Sequence, residues 1–279
     1  MKTVAIFGVG LIGGSFALAL RKAGFEGRIL GVSSPDTIRR ALELNVIDAG
    51  SGAEEAARSA DLIYLSQPIL RIIECLPDLS RWVQPGSLVT DAGSTKNVIV
   101  ERAAAVFAPG QFLGGHPMAG RERRGVEAAE ADLFRGRPYI LTPVPPAQLE
   151  APLAAEFEAW IRKMGAVPIV LNPAEHDRIV AFTSHLPQLA STALAALLES
   201  RAEAKTGVFG PALVDSTRLA LSSFDIWGDI LSTNRGPILE ALRNYVAKLE
   251  EFCDNFELAA IEPQFERAAK LAAALRNTG

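Results

Sequence analysis

Near the start of the chain, Thr3-Val4-Ala5-Ile6-Phe7-Gly8-Val9-Gly10-Leu11-Ile12-Gly13-Gly14-Ser15 decides how the rest is read. Thr3 to Phe7 is a short apolar run of β-forming residues, and from Ser15 apolar residues return at helical spacing, at Phe16 and Leu20. The link between them is G-x-G-x-x-G. In a dinucleotide site Gly8 makes the tight turn, Gly10 lets the backbone approach a pyrophosphate, and Gly13 lets helix and strand pack closely. The N-terminus of the helix that follows then offers its unpaired N–H groups to the anion, with Leu11 and Ile12 among the cofactor-binding residues of the turn. A secretory signal fits poorly, because four glycines break the apolar segment and another strand follows at once. A glycine turn that binds nothing fits these residues taken alone.

Composition narrows the field. With 279 residues, 49% of them hydrophobic, the chain is long enough for two domains with a sizeable core. A net charge of −4 provides no basic footprint for nucleic acid. Cys75 and Cys253 are the only cysteines, too few for a disulfide framework, which suits a reducing cytoplasm. Beyond the opening run, nothing approaches the roughly 20 apolar residues of a membrane span. The expectation is a cytoplasmic protein with neither membrane nor nucleic acid as partner.

Strands and helices alternate through the first half. Arg28 to Val32 is a second strand, ending at Ser33-Ser34-Pro35-Asp36. An acid directly after that strand would select NAD through the ribose 2′-hydroxyl, and serine stands there instead. Ser33 and Ser34 can donate to a 2′-phosphate, with Arg39 or Arg40 to pair it, so NADP is favoured over NAD; helix capping by Ser33 to Asp36 is the simpler alternative. Further strands are read at 60–65, 87–90, 111–115, 138–142 and 167–171, seven or so in all. Ser66, Asp91, Ser94, Lys96 and His116 each follow one of these runs, where a doubly wound sheet binds its ligand. Of only three histidines, His116 sits between Gly-Gly and Pro, and imidazole suits a base working near neutral pH. His176, at a helix start, reads as solvated or capping.

Past Asn172-Pro173 the strand-like runs stop, which divides the chain into 1–172 and 173–279. A helix is read over Ile179 to Ser200 with Thr183-Ser184-His185-Leu186-Pro187 inside it. Ile238, Leu242, Tyr245 or Val246, Leu249, Phe252 and Phe256 form the stripe of one long helix, a core that two subunits could share. Arg218 reads as a surface residue or as a clamp for a substrate carboxylate.

Taken together, these residues resemble the prephenate/arogenate dehydrogenase family of tyrosine biosynthesis. The resemblance covers nearly the whole chain. It rests on Gly8 to Ser15, Asp91-Ala92-Gly93-Ser94-Thr95-Lys96, Gly114-Gly115-His116-Pro117-Met118-Ala119-Gly120, Glu122 with Gly125-Val126-Glu127, and Ser184-His185-Leu186-Pro187, with weaker support from Ser216-Thr217-Arg218 and Asp225-Ile226-Trp227. It implies an α/β domain with a doubly wound, mostly parallel sheet of Rossmann type, followed by an all-α dimerisation domain, and so a homodimer. It also implies NAD(P)-dependent oxidative decarboxylation of prephenate to 4-hydroxyphenylpyruvate, or the same reaction on arogenate. His116 would take the ring hydroxyl's proton, and Ser94 would orient that hydroxyl. Arg218, His185 and Glu122 would bind substrate, and Ser66 and Pro68 would contact the cofactor. Glu122, Asp225 or Asp229 could meet the amino group of arogenate. Gly228 stands where the family often has arginine. Neither a chorismate mutase segment nor a regulatory domain is expected. A β-hydroxyacid dehydrogenase would need a lysine on the first helix after the nucleotide domain, and Val180 to Ala190 has none. A cofactor-sensing protein without turnover would not need His116.

Overall fold

The computed structural model describes residues 1–120, 123–144 and 146–277. They form eight strands, β1 (Thr3–Phe7), β2 (Arg28–Val32), β3 (Ala49–Gly50), β4 (Leu62–Leu65), β5 (Leu88–Asp91), β6 (Phe112–Pro117), β7 (Pro138–Thr142) and β8 (Val167–Val170). In space their order is β3-β2-β1-β4-β5-β6-β7-β8, with all pairs parallel except β6–β7. From β1 the chain winds outward through β2 to β3 and then returns to β4 on the other side of β1, so the switch point of the doubly wound sheet lies between β1 and β4. Helices α1 (Leu11–Lys22), α2 (Pro35–Glu43), α3 (Ala53–Ser59), α4 (Ile69–Trp82), α5 (Asn97–Ala104) and α6 (Pro152–Lys163) alternate with the strands. There follow α7 (Pro173–Val180), α8 (Leu186–Glu199), α9 (Pro211–Thr217), α10 (Phe224–Thr233), α11 (Arg235–Asp254) and α12 (Leu258–Asn277). By internal contacts the chain forms two compact units, Met1–Ile179 with Leu221–Asn234, and Val180–Ala220 with Arg235–Gly279.

In the first unit the central strands are apolar on both faces because helices cover both faces of a parallel sheet. Val4, Ala5, Ile6, Ile63, Tyr64 and Leu65 are all fully buried. Phe16 of α1 stacks flat on Tyr64, ring centroids 3.8 Å apart, and Phe157 of α6 closes on it at 6.2 Å. Burying a side chain of this size stabilises by about 1.5–3 kcal/mol, so α1 is pinned to the sheet by Phe16 and Leu20 rather than by its caps. Its end is set by Gly24 at φ +92°, whose N–H donates to the Arg21 carbonyl at 3.0 Å. The short β3, only two residues long, has no sequence signature.

In the second unit Ala181–His185 is a π-helical turn between α7 and α8, where the sequence predicts one unbroken helix. Pro187 lies in the first turn of α8, where its missing N–H costs no hydrogen bond. Gln188 Nε2 donates to the Leu219 carbonyl at 2.7 Å, tying α8 to the turn after α9. The expected stripe is only partly core. Ile238 is buried, whereas Tyr245, Val246 and Leu249 are exposed. Phe256 lies beyond the end of α11 and is 79% exposed, because the helix stops at Asp254. Among the described residues of α12 none is buried, and Leu258, Phe265, Leu271 and Leu275 are exposed.

Candidate active site

At the carboxyl end of β1 the glycines have separate tasks. Gly8 adopts φ +92°, left-handed backbone that other residues avoid, and its N–H donates to the Val32 carbonyl at 2.9 Å. A Cβ on Gly13 would overlap Gly8 O and Ser66 Oγ and lie 2.8 Å from Ile6 Cγ2. A Cβ on Gly10 would meet nothing. Gly13 is thus required by packing, and Gly10 leaves open space at the start of α1. That start has no side-chain cap and no acid in its first turn, so its N–H groups and the positive end of the helix dipole are available to an anion. Ser66 Oγ donates to Gly8 O at 2.9 Å, bracing the turn from β4.

Beside this turn, within the first unit, is a hollow of about 310 Å³ lined by Ile12, Ser66, Pro68, Gly93, Ser94 and Ile230, with Arg124, Asp225 and Asp229 at its polar side. A larger hollow of about 690 Å³, lined by residues such as Ser87 and Gln111, lies at the amino ends of β5 and β6, the wrong end of such a sheet for its ligand.

Asp91, the last residue of β5, organises the adjoining arch. Fully buried, it accepts from Gly93 N at 2.8 Å and Gly115 N at 3.1 Å and pairs with the equally buried Lys96 ammonium. Burial pulls the Lys96 pKa below its ordinary value, opposed by the carboxylates of Asp91 and Asp177. The ion pair folds residues 91–96 back on themselves, which turns Ser94 into the hollow and ties β5 to β6. Ser94 is half-buried, and its hydroxyl has no hydrogen-bond partner among the described residues.

His116 lies inside β6, paired antiparallel with Ile140 of β7, rather than in a loop after the strand. The β5–β6 register sets Leu113 opposite Thr90, so His116, three residues on, is level with the Gly93–Ser94 arch. The residue is 9% exposed. His116 Nδ1 is 2.8 Å from His176 Nε2, and His176 Nδ1 is 2.8 Å from Asp177 Oδ1. Asp177 in turn accepts from the main-chain N–H groups of Lys96 (2.7 Å) and Asn97 (2.9 Å) at the start of α5. Asn234 Nδ2 donates to the Asp177 carbonyl at 2.8 Å.

His176 is therefore neither solvated nor a cap: it is fully buried, held between His116 and Asp177. Its place near the start of α7 at Pro173, beside polar Asn172 and Glu175, is what suggests solvent from the sequence alone. The rarity of histidine was the available signal. Ser34 caps α2, accepting from Thr37 N at 3.4 Å, and Arg39 pairs with Asp36 at 2.7 Å; Ser33, Ser34 and Arg39 are all exposed at the end of β2. Leu11 and Ile12 are half-buried in the first turn of α1. His185 and Arg218 belong to the second unit. There His185 closes the π turn at 1% exposure, and Arg218 is exposed at the end of α9. Glu122 lies outside the described residues. Asp225 pairs with Arg124 at 3.6 Å, and Asp229 accepts from Leu70 N at 3.1 Å. Among the described residues no helix is long and apolar enough to cross a membrane, and no cluster of His, Cys, Asp or Glu could hold a metal ion.

Residues 16–166 match the family described as prephenate dehydrogenase, nucleotide-binding domain, and residues 172–270 match the one described as prephenate dehydrogenase, dimerization domain. The chain is 33% identical over 286 residues to prephenate dehydrogenase of Lactococcus lactis, covering 99% of this chain and 78% of that one. It superposes on prephenate dehydrogenase of Aquifex aeolicus in complex with hydroxyphenyl propionate and NAD+ with a TM-score of 0.89 and 31% identity, covering 100% and 99% of the two chains. For Synechocystis arogenate dehydrogenase the TM-score is 0.81 at 28% identity, with 99% of each chain covered.

Proposed function

The chain belongs to the prephenate dehydrogenase family of nicotinamide-dependent oxidoreductases, and on that premise we propose that it converts prephenate to 4-hydroxyphenylpyruvate by oxidative decarboxylation. The observation that carries the reading is His116, at the ligand-binding edge of the sheet and level with Ser94. His116 accepts the proton of the ring hydroxyl, and Ser94 orients that hydroxyl. The nicotinamide, when bound, supplies the acceptor for the hydride leaving the same carbon. Release of the ring carboxylate as carbon dioxide makes the ring aromatic. Arg218 pairs with a substrate carboxylate, and His185 and Glu122 serve as the further substrate-binding residues.

The open space at Gly10 and the uncapped start of α1 suit the pyrophosphate, flanked by Gly8, Leu11, Ile12, Gly13, Ser66 and Pro68. Exposed Ser33 and Ser34, with Arg39 one turn on, support NADP over NAD. Residues 1–172 act as the nucleotide-binding domain, and 173–279 bind substrate and form a homodimer. The exposed apolar residues of α11 and α12 support the second role.

Arogenate is the second reading, favoured by Asp225 and Asp229 on the wall of the hollow, where a carboxylate would attract an amino group. One matrix tests both: prephenate and arogenate, each with NAD and NADP, followed by reduced-cofactor absorbance. The highest kcat/KM is expected for prephenate with NADP. Turnover in none of the four combinations would overturn the assignment.

A further inference from the structure

The contact between His116 and His176 has a direction. Both carboxylate oxygens of Asp177 already accept from main-chain donors, Oδ1 from Lys96 N and Oδ2 from Asn97 N, so Oδ1 accepts from His176 Nδ1 as well. With its proton on Nδ1, His176 presents Nε2 as an acceptor. The proton in the 2.8 Å contact therefore belongs to His116 Nδ1, and the lone pair of His116 is on Nε2. Packing alone gives no reason for this chain, since two buried imidazoles and a carboxylate cost desolvation that apolar side chains of similar volume would avoid.

Resting on the reading of His116 as the base, we propose that His176 and Asp177 are positioning residues that lock His116 in the Nδ1–H tautomer and offset the charge it gains. When the substrate hydroxyl proton arrives at His116 Nε2, the Nδ1 proton stays in place. The new imidazolium faces the Asp177 carboxylate through the second ring, the logic of a carboxylate–imidazole pair extended by one residue. Asn234, 2% exposed, holds the Asp177 main chain, and the start of α5 holds its side chain, so the carboxylate does not turn away. The other titratable groups on neighbouring elements, among the described residues, are Asp91 and Lys96, already paired, and Tyr139 with Tyr64. Burial raises both phenols, so they stay neutral through the working range.

The test uses the full chain with prephenate and its better cofactor. With only three histidines, ¹⁵N-imidazole spectra of the parent resolve the tautomers directly, and His116→Asn identifies its own signals. His116 is expected as the Nδ1–H form above its pKa. His176→Gln keeps an acceptor for His116 Nδ1 but cuts the link to the carboxylate. It is expected to lower kcat about 10- to 100-fold with little change in cofactor affinity, and to move the acidic limb of kcat/KM about one pH unit lower, because the base is no longer hydrogen-bonded to a ring that the Asp177 carboxylate polarises. A merely structural role would reduce amplitude without moving the limb. His116→Asn should lower turnover by about 10²–10⁴. If it does not, the base assignment itself fails. If it does, while His176→Gln leaves the limb unmoved or the parent carries the proton on Nε2, the relay alone is overturned.

Discussion

Two alanine substitutions three residues apart in the glycine turn should fail in different ways. At Gly13 a methyl would lie 2.8 Å from Ile6 Cγ2 and deeper still inside Gly8 O and Ser66 Oγ. Ordinary carbon contacts begin near 3.5 Å, so α1 would have to retreat from β1 by roughly 1 Å. The obstructing oxygen is backbone and cannot rotate aside, so the cost sits at the upper end of overpacking, about 3 kcal/mol. At Gly10 a methyl meets no protein atom, and φ is −95°, open to any residue. Gly10→Ala should therefore stay within about 1 kcal/mol of the parent in stability. Its methyl would instead occupy the space where the pyrophosphate meets the backbone, so cofactor affinity should fall at least about tenfold, or about 1.4 kcal/mol. Urea denaturation without ligand measures the first effect, and calorimetric titration with NAD and NADP measures the second. A Gly10→Ala protein that binds both cofactors as the parent does would refute the assignment of that space. A Gly13→Ala protein as stable as the parent would refute the packing argument.

Two other predictions concern the rest of the chain. Arg218→Ala should raise KM for prephenate at least tenfold with a smaller change in kcat, since a charge-assisted pair to the bound carboxylate is lost; steady-state kinetics at saturating cofactor decide it, and an unchanged KM would remove Arg218 from the site. Burial pushes the Cys75 thiol up to about 12, so at pH 8 only about one in ten thousand is thiolate. Iodoacetamide should modify the half-buried Cys75 far more slowly in the native protein than after unfolding, read by peptide mass; native labelling as fast as in the unfolded chain would contradict the raised pKa.

How much was legible in the sequence depended on the range of the interaction involved. The glycine turn, the apolar strands, the capping serine at 34 and the placement of Ser66 and Ser94 just after strands are local or periodic features, whereas His116 and Asp91 proved to lie within β6 and β5. A few neighbouring residues determine each of those local features, and the chain belongs to the family that those motifs resemble. The antiparallel β6–β7 pair, the Asp91–Lys96 pair that folds the arch, and the π turn before Pro187 depend on which segments meet in space. His176 shows the difference most clearly. Its neighbours along the chain are polar and suggest solvent, but its partner His116 is 60 residues away, and only the folded sheet and α7 bring the two rings together. The amphipathic stripe of α11 is the converse case: periodicity determines which residues share a face, and nothing in periodicity determines whether another element of the same chain will cover it.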